Sequence, residues 1–386
     1  MSEPSVVLRE LRTAGGHRFG HATLNAPASL NALTLEMIDL LAPQFDAWWA
    51  DPGVVGIVLD GAGDKAFCAG GDVQALYHAV RALGPAAAET VPELAKAFFE
   101  REYRFDHRLH SAPKPLLVWG HGIVMGGGVG LLAAASHRVV TPRSRIAMPE
   151  ISIGLYPDVG ASWFLHRMPG QAGLFLGLTG VVLNATDACF GGLADLVVEQ
   201  ETKASVFDAI GAARWDGDPA ADGARLSRLL GAASVPLDPA ASPLRRHAEL
   251  IDRIVGHDTL AAIDERLRAL GTHDDPWLAG AVKTFQAGSP TSAALTHALW
   301  RRTEGWSLDA VFRLEYQVSL GCCLQHDFCE GVRAVLVDKD RRPHWQPATL
   351  AEVGAALIDA HFVPRHAGEH PLADLGRSSP SAGPSR

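Results

Sequence analysis

At 386 residues, 47% apolar, 20% charged and with a formal net charge of −9, the chain has the balance of a soluble globular protein with a sizeable core. An acidic balance with no basic block disfavours nucleic-acid and membrane-surface partners, and no apolar run reaches membrane-spanning length. Cys68, Cys189, Cys322, Cys323 and Cys329 are odd in number and form no C-x-x-C, so neither a disulfide framework nor a zinc site is indicated; with no leader pattern in MSEPSVVLRE, a reducing cytoplasm is the expected location.

In chain order, a helix is predicted over 34–49, then a strand over VVGIVLDG (54–61), a helix over 92–111 and a strand over PLLVWGHG (115–122). A small-residue helix over 127–136 and a strand over HRVVTP (137–142) follow. The strands are continuous apolar runs, as expected of strands buried on both faces, and their alternation with helices argues for an α/β fold built from repeated β-β-α or β-α-β turns. From about 205 strand candidates nearly vanish and amphipathic patterns such as TLAAIDERLRALG take over. A mainly helical region is expected over 206–364, and the Gly/Ser/Pro-rich segment 365–386 is expected to be a disordered tail.

The segment GAGDKA (61–66) fits a relaxed dinucleotide fingerprint, but that motif must open a helix, and here it runs into the Gly-rich FCAGGD. A Rossmann reading is set aside. G-x-S-x-G, Walker A and H-E-x-x-H are all missing from the sequence.

Two glycine-rich turns carry more chemistry: FCAGGD (67–72) and HGIVMGGGVGLLAAAS (121–136), each following an apolar strand. The opening amides of such a turn lack internal partners and favour an anion or a developing oxyanion, while glycine lets a ligand approach the backbone. One turn alone is explained equally well by tight strand–helix packing; two make a paired amide cradle the better reading. On the helix over 92–111, Leu94, Phe98, Phe105 and Leu109 share one face, and Glu102 falls on it, where a carboxylate needs either a partner such as Arg101 or a task. Glu150 and Asp158 lie eight residues apart in MPEISIGLYPDVG with no Lys or Arg between them. Fully extended, that stretch would hold them ~25 Å apart, so Gly154 and Pro157 must bend the chain if both acids face one cavity. A carboxyl in apolar surroundings suits acid/base work near neutral pH.

The segments KAFCAGGD, HGIVMGGGVGL and IAMPEISIGLYPDVGASWFLHRMPG resemble the crotonase (enoyl-CoA hydratase/isomerase) superfamily, and in particular its 3-hydroxyisobutyryl-CoA hydrolase branch. The likeness starts near TLNAPASLNALTLEMI (23–38) and returns in SPTSAALTHALW (289–300) and HDFCEGVRAVLVDKDRRPHW (326–345), leaving out 200–245 and the tail. It implies a crotonase-like spiral of β-β-α turns over 1–205, holding the active site, followed by the helical C-terminal region. It further implies an oxyanion hole made by the amides of Gly71 and Gly127, with Gly70 and Gly126 beside them as substrate-binding positions. Glu150 and Asp158 are the implied catalytic acids and Glu102 a substrate contact. Hydratases of the superfamily carry a second glutamate where this chain has Gly130. Its absence favours hydrolysis of an acyl-CoA thioester, of 3-hydroxyisobutyryl-CoA or also 3-hydroxypropionyl-CoA, in valine catabolism. An enoyl-CoA hydratase or isomerase, or a non-catalytic binding protein on the same fold, are the alternatives. No metal or other cofactor is implied, since coenzyme A arrives with the substrate, and homo-oligomerisation is left open. Cys68 reads as a packing residue, and Lys65, Arg333 and Lys339 as either phosphate contacts or solvated surface.

Overall fold

The computed structural model describes residues 3–84, 89–256, 259–271 and 273–377. Among the described residues, nine strands form two sheets. The larger runs in the order β1 (Val6–Arg12), β2 (Arg18–Leu24), β3 (Val54–Gly61), β5 (Leu116–Gly120), β7 (His137–Val140) and β9 (Leu196–Val197), parallel throughout except for the β1–β2 pair. The smaller is a parallel sheet of three-residue strands: β4 (Ala66–Cys68), β6 (Ile123–Met125) and β8 (Arg145–Ala147).

The central strands β3 and β5 of the large sheet are buried on both faces, as their unbroken apolar runs require. Along β3, Val54, Ile57 and Leu59 join one core while Val55 and Val58 join another. Along β5, Leu116 and Val118 alternate in the same way with Leu117 and Trp119. Along β5 that period of two is the strand's own geometry, and along β3 it slips by one residue between Val54 and Ile57, where the pairing with β2 shifts register between Arg18 and Phe19. The smaller core is closed by Val206, Ile210, Leu226 and Leu230 from the helices Lys203–Ala212 and Pro219–Ala233, so the helical region begins by covering the sheet's second face. The larger core takes α1 (Leu35–Ala50), capped by Thr34, and α3 (Glu93–His110) together with later helices including Leu308–Cys323.

The expected repetition of β-β-α turns is present. Strands β3 and β4 lead to α2 (Val73–Leu83), β5 and β6 lead to α4 (Gly127–Ala133), and β7 and β8 lead to a 3-10 turn at Glu150–Ile153. In each turn the first strand enters the large sheet and the second the small one. GAGDKA joins β3 to β4, so it opens no helix. FCAGGD does lead into one after all, because the Asp72 side chain accepts the amide of Ala75 and caps α2.

The expectation of disorder from residue 365 needs correction. Over 365–377 the chain packs back on the core: Leu372 is fully buried, Leu375 nearly so, and Arg104 pairs with Asp374. Two leucines in a Gly/Ser/Pro-rich stretch are enough to dock it, and composition averages them away. Residues 378–386 of the expected tail lie outside the described residues.

Candidate active site

The small sheet gathers the site. Its three parallel strands end side by side, β6 in the middle, and each runs directly into a segment of chemical interest: Ala69–Gly71 after β4, Gly126–Gly127 after β6, and Met148–Glu150 after β8. The carboxyl edge of parallel strands is where α/β folds place ligands.

The two glycine turns face each other. A Cβ placed on Gly127 would lie 3.4 Å from Gly71 N, and one on Gly70 would lie 3.7 Å from Gly127 N. Gly70 and Gly126 have φ of 107° and 51°, a region L side chains rarely enter, so these turns are shaped by glycine specifically. Among the described residues, the amides of Gly71 and Gly127 donate to no protein group, whereas their neighbour Asp72 N donates to Leu33 O. The two turns thus form a cradle with two unpaired amide donors side by side.

Carboxylates stand against that cradle. A Cβ on Gly126 would meet Glu150 Oε1 at 2.9 Å, and one on Gly127 would meet Glu102 Oε1 at 2.8 Å. Glu102, Glu150 and Asp158 are 2%, 4% and 5% exposed, and Glu102 Oε1 and Glu150 Oε2 are buried with no hydrogen-bond partner. Arg101 does not serve Glu102; it pairs with Asp39. The chain between Glu150 and Asp158 bends as their co-location demands. The 3-10 turn is closed by Leu155 N donating to Glu150 O, and Gly154 and Val159 both adopt left-handed φ. The acids then face each other electrostatically: burial, then the charge of Asp158, pushes Glu150 well above the ordinary carboxyl range. Burial lifts Asp158 itself to about 6, held back by the Tyr103 hydroxyl donating to Oδ2 at 2.6 Å.

Two further acids were not singled out from the sequence. Asp106, one turn after Glu102 on α3, is 1% exposed with both oxygens unpartnered, and burial and then the charge of Asp158 raise it well above its usual value. Glu315, on the helix Leu308–Cys323, is fully buried and accepts the amides of Gly160 and Ser162 at 2.7 and 3.0 Å. Burial and Asp158 push it to about 8 against the pull of those amides. Both could have been found by the criterion that found Glu102, an acid at helical spacing on an apolar face: Asp106 between Phe105 and Leu109, Glu315 between Phe312 and Val318. Among the described residues, no Lys or Arg pairs with any of these five acids.

Gly130 adjoins the site but has no room for a side chain, since a Cβ there would stand 2.8 Å from Val159 Cβ. Cys68 is fully buried beside the cradle, and burial pushes its thiol to about 12, which suits packing and not nucleophilic attack at neutral pH. Arg333 is engaged by Glu330, Asp338 and Asp340, so the phosphate-contact reading of it gives way to an ion-pair cluster. Lys65 lines a cavity of about 270 Å³ with Leu30 and Asn31.

Residues 19–362 match the family model described as enoyl-CoA hydratase/isomerase. The chain is similar to the mitochondrial 3-hydroxyisobutyryl-CoA hydrolase of Gallus gallus, with 37% identity across 89% of this chain and 86% of the relative. It is also similar in structure to a carnitinyl-CoA dehydratase from Mycobacterium thermoresistibile (TM-score 0.80, 36% identity, 94% of this chain and 97% of that one). An enoyl-CoA hydratase from Rhodobacter sphaeroides gives a TM-score of 0.77 at 34% identity, over 94% and 98%. The names of the vertebrate relatives place them in the mitochondrion, which overturns the cytoplasmic expectation. The cysteine pattern that prompted it speaks to redox environment, which does not single out one compartment.

Proposed function

Because this chain belongs to the enoyl-CoA hydratase/isomerase family, in its 3-hydroxyisobutyryl-CoA hydrolase branch, we propose that it hydrolyses 3-hydroxyisobutyryl-CoA to 3-hydroxyisobutyrate and coenzyme A, a step of valine breakdown. The observation that carries this reading over hydration is the closed space at Gly130, where Val159 leaves no room for the second hydratase glutamate. The names of the solved dehydratase and hydratase structures favour the rival reading, addition of water to an enoyl-CoA. Water addition across a double bond needs acid/base groups at both carbons, and the Gly130 position offers none.

The amides of Gly71 and Gly127 polarise the thioester carbonyl and hold the oxyanion; loss of one such donor typically costs about 3 kcal/mol. Gly70 and Gly126 keep the backbone close to the acyl group, and Glu102, against both cradle glycines, takes the substrate's 3-hydroxyl. Burial and the charge of Asp158 favour the protonated form of Glu150, while the Tyr103 hydroxyl favours the ionised form of Asp158, which supports a division of labour in which the proton starts on Glu150. Transfer of that proton to Asp158 leaves Glu150 ionised. Glu150 then takes a proton from a water that attacks the acyl carbon, or attacks that carbon itself to give a mixed anhydride that water afterwards splits into the free acid and protonated Glu150; in either route the carbon–sulfur bond breaks and Asp158 gives its proton to the departing thiolate. Each step uses water, amides and carboxyls, so coenzyme A enters only as part of the substrate.

Purified protein offered 3-hydroxyisobutyryl-CoA is expected to release free thiol, with 3-hydroxypropionyl-CoA as the next substrate to try and crotonyl-CoA left nearly unchanged. Rapid loss of the enoyl absorbance without thiol release would sink the hydrolase reading.

A further inference from the structure

We propose that Tyr103, Ser319 and Tyr156 form a reversible hydroxyl chain that positions Asp158 both to hold and to release a proton. The inference deepens the hydrolase reading and rests on it for the catalytic use of that proton. Four contacts make the chain: Tyr103 Oη to Asp158 Oδ2 at 2.6 Å, Tyr103 Oη to Ser319 Oγ at 2.7 Å, Ser319 Oγ to Tyr156 Oη at 2.9 Å, and Tyr156 Oη to the main-chain oxygen of Glu315 at 2.8 Å. All three hydroxyl side chains are buried, so water does not substitute for a missing partner.

Each contact needs one proton, and three hydroxyls supply three. With Asp158 ionised, Tyr103 donates to the carboxylate and Ser319 to Tyr103. The single proton of Tyr156 then serves either Ser319 or Glu315 O, and one contact goes without. With Asp158 protonated, the hydroxyl bonds turn round, so that Asp158 donates to Tyr103, Tyr103 to Ser319 and Ser319 to Tyr156, while Tyr156 donates to Glu315 O. All four contacts are then filled. The ionised acid thus gains a charge-assisted bond and the neutral acid a complete chain, so neither state is stranded in the apolar site. The chain ends on a main-chain carbonyl, which takes no proton, so it reorients and does not conduct.

The groups facing Asp158 are acidic or neutral. Glu102, Asp106 and Tyr103 lie on α3, Glu150 on the 3-10 turn, and Glu315 and Cys322 on the helix Leu308–Cys323, with Tyr156 on Asp158's own segment. With no cation among these groups, the Tyr103 O–H is the side-chain donor that favours the ionised form of Asp158. Removing it therefore raises the Asp158 midpoint.

The test is an infrared titration of the unliganded full chain, with Asp158→Asn subtracted to isolate the Asp158 carboxyl stretch, alongside the pH profile of thiol release. In Tyr103→Phe the midpoint is expected to rise by about one unit, with kcat about tenfold lower on the acidic limb and KM little changed. Ser319→Ala keeps the charge-assisted Tyr103–Asp158 bond but takes from Tyr103 its acceptor in the neutral chain, so its midpoint is expected to fall below that of the wild type. It carries the test if Tyr103→Phe folds poorly. Thiol release with wild-type midpoints in the folded variants would overturn the chain. Shifted midpoints without thiol release in the wild type would support the chain and overturn the hydrolase reading.

Discussion

Val159 stands where a side chain at position 130 would go: a Cβ on Gly130 would sit 2.8 Å from the Cβ and 2.9 Å from the Cγ2 of Val159. Val159 itself adopts φ of 53°, a strained conformation for a β-branched residue, directly after Asp158. Gly130→Ala is therefore expected to cost about 1–3 kcal/mol by overpacking, read from urea unfolding. The double change Gly130→Ala/Val159→Gly should cost less than the sum of the singles by about 0.5–3 kcal/mol; strict additivity would mean the two positions do not compete for space.

Glu150→Gln and Asp158→Asn are each expected to lower kcat for thiol release by roughly 10²–10⁴, with circular dichroism unchanged. Near-normal turnover in folded Asp158→Asn would end the case for a working pair.

Asp106 offers a stability experiment. Its folded pKa is raised, so the folded state binds more protons than the unfolded one, and stability falls as pH climbs above the unfolded value of about 4. Asp106→Asn removes that loss. Calorimetry should show its melting temperature gaining on the wild type between pH 5 and pH 8, and an equal difference at both pH values would contradict burial as the cause.

Glu315 holds the loop behind Asp158 through two amides. Glu315→Ala leaves both buried donors without an acceptor and is expected to cost about 2–4 kcal/mol, with kcat reduced more than KM is raised. Glu315→Gln, which keeps one acceptor oxygen, should recover part of both. Equal stability of the Ala and Gln variants would remove the amide clamp from consideration.

What the sequence disclosed and what it hid follow from range. Strands β3, β5 and β7 were legible because burial on both faces writes a continuous apolar run, and Glu102 because an acid interrupts a helical apolar stripe. Strands β4, β6 and β8 were not, since three residues carry no period, and each exists only by pairing with a segment 20 to 60 positions away. Yet that small sheet is what sets Gly71, Gly127 and Glu150 side by side. Strands β1 and β2 alternate polar and apolar residues too irregularly to stand out. The mutual distance of Glu150 and Asp158 was open for the same reason: the bend between them is fixed by contacts outside the segment, such as Asp327 against Gly154.

Tyr103 and Ser319, which meet at Asp158, are 216 positions apart in the chain. A nascent polypeptide that has passed both glycine turns and all the acids of the first half still lacks the helix that finishes Asp158's surroundings and clamps its loop. Catalytic competence is therefore among the last properties this chain acquires as it is made. A C-terminal truncation that spares every acid named from the sequence should still yield a protein with its donors and carboxyls in place on paper and no controlled proton to use.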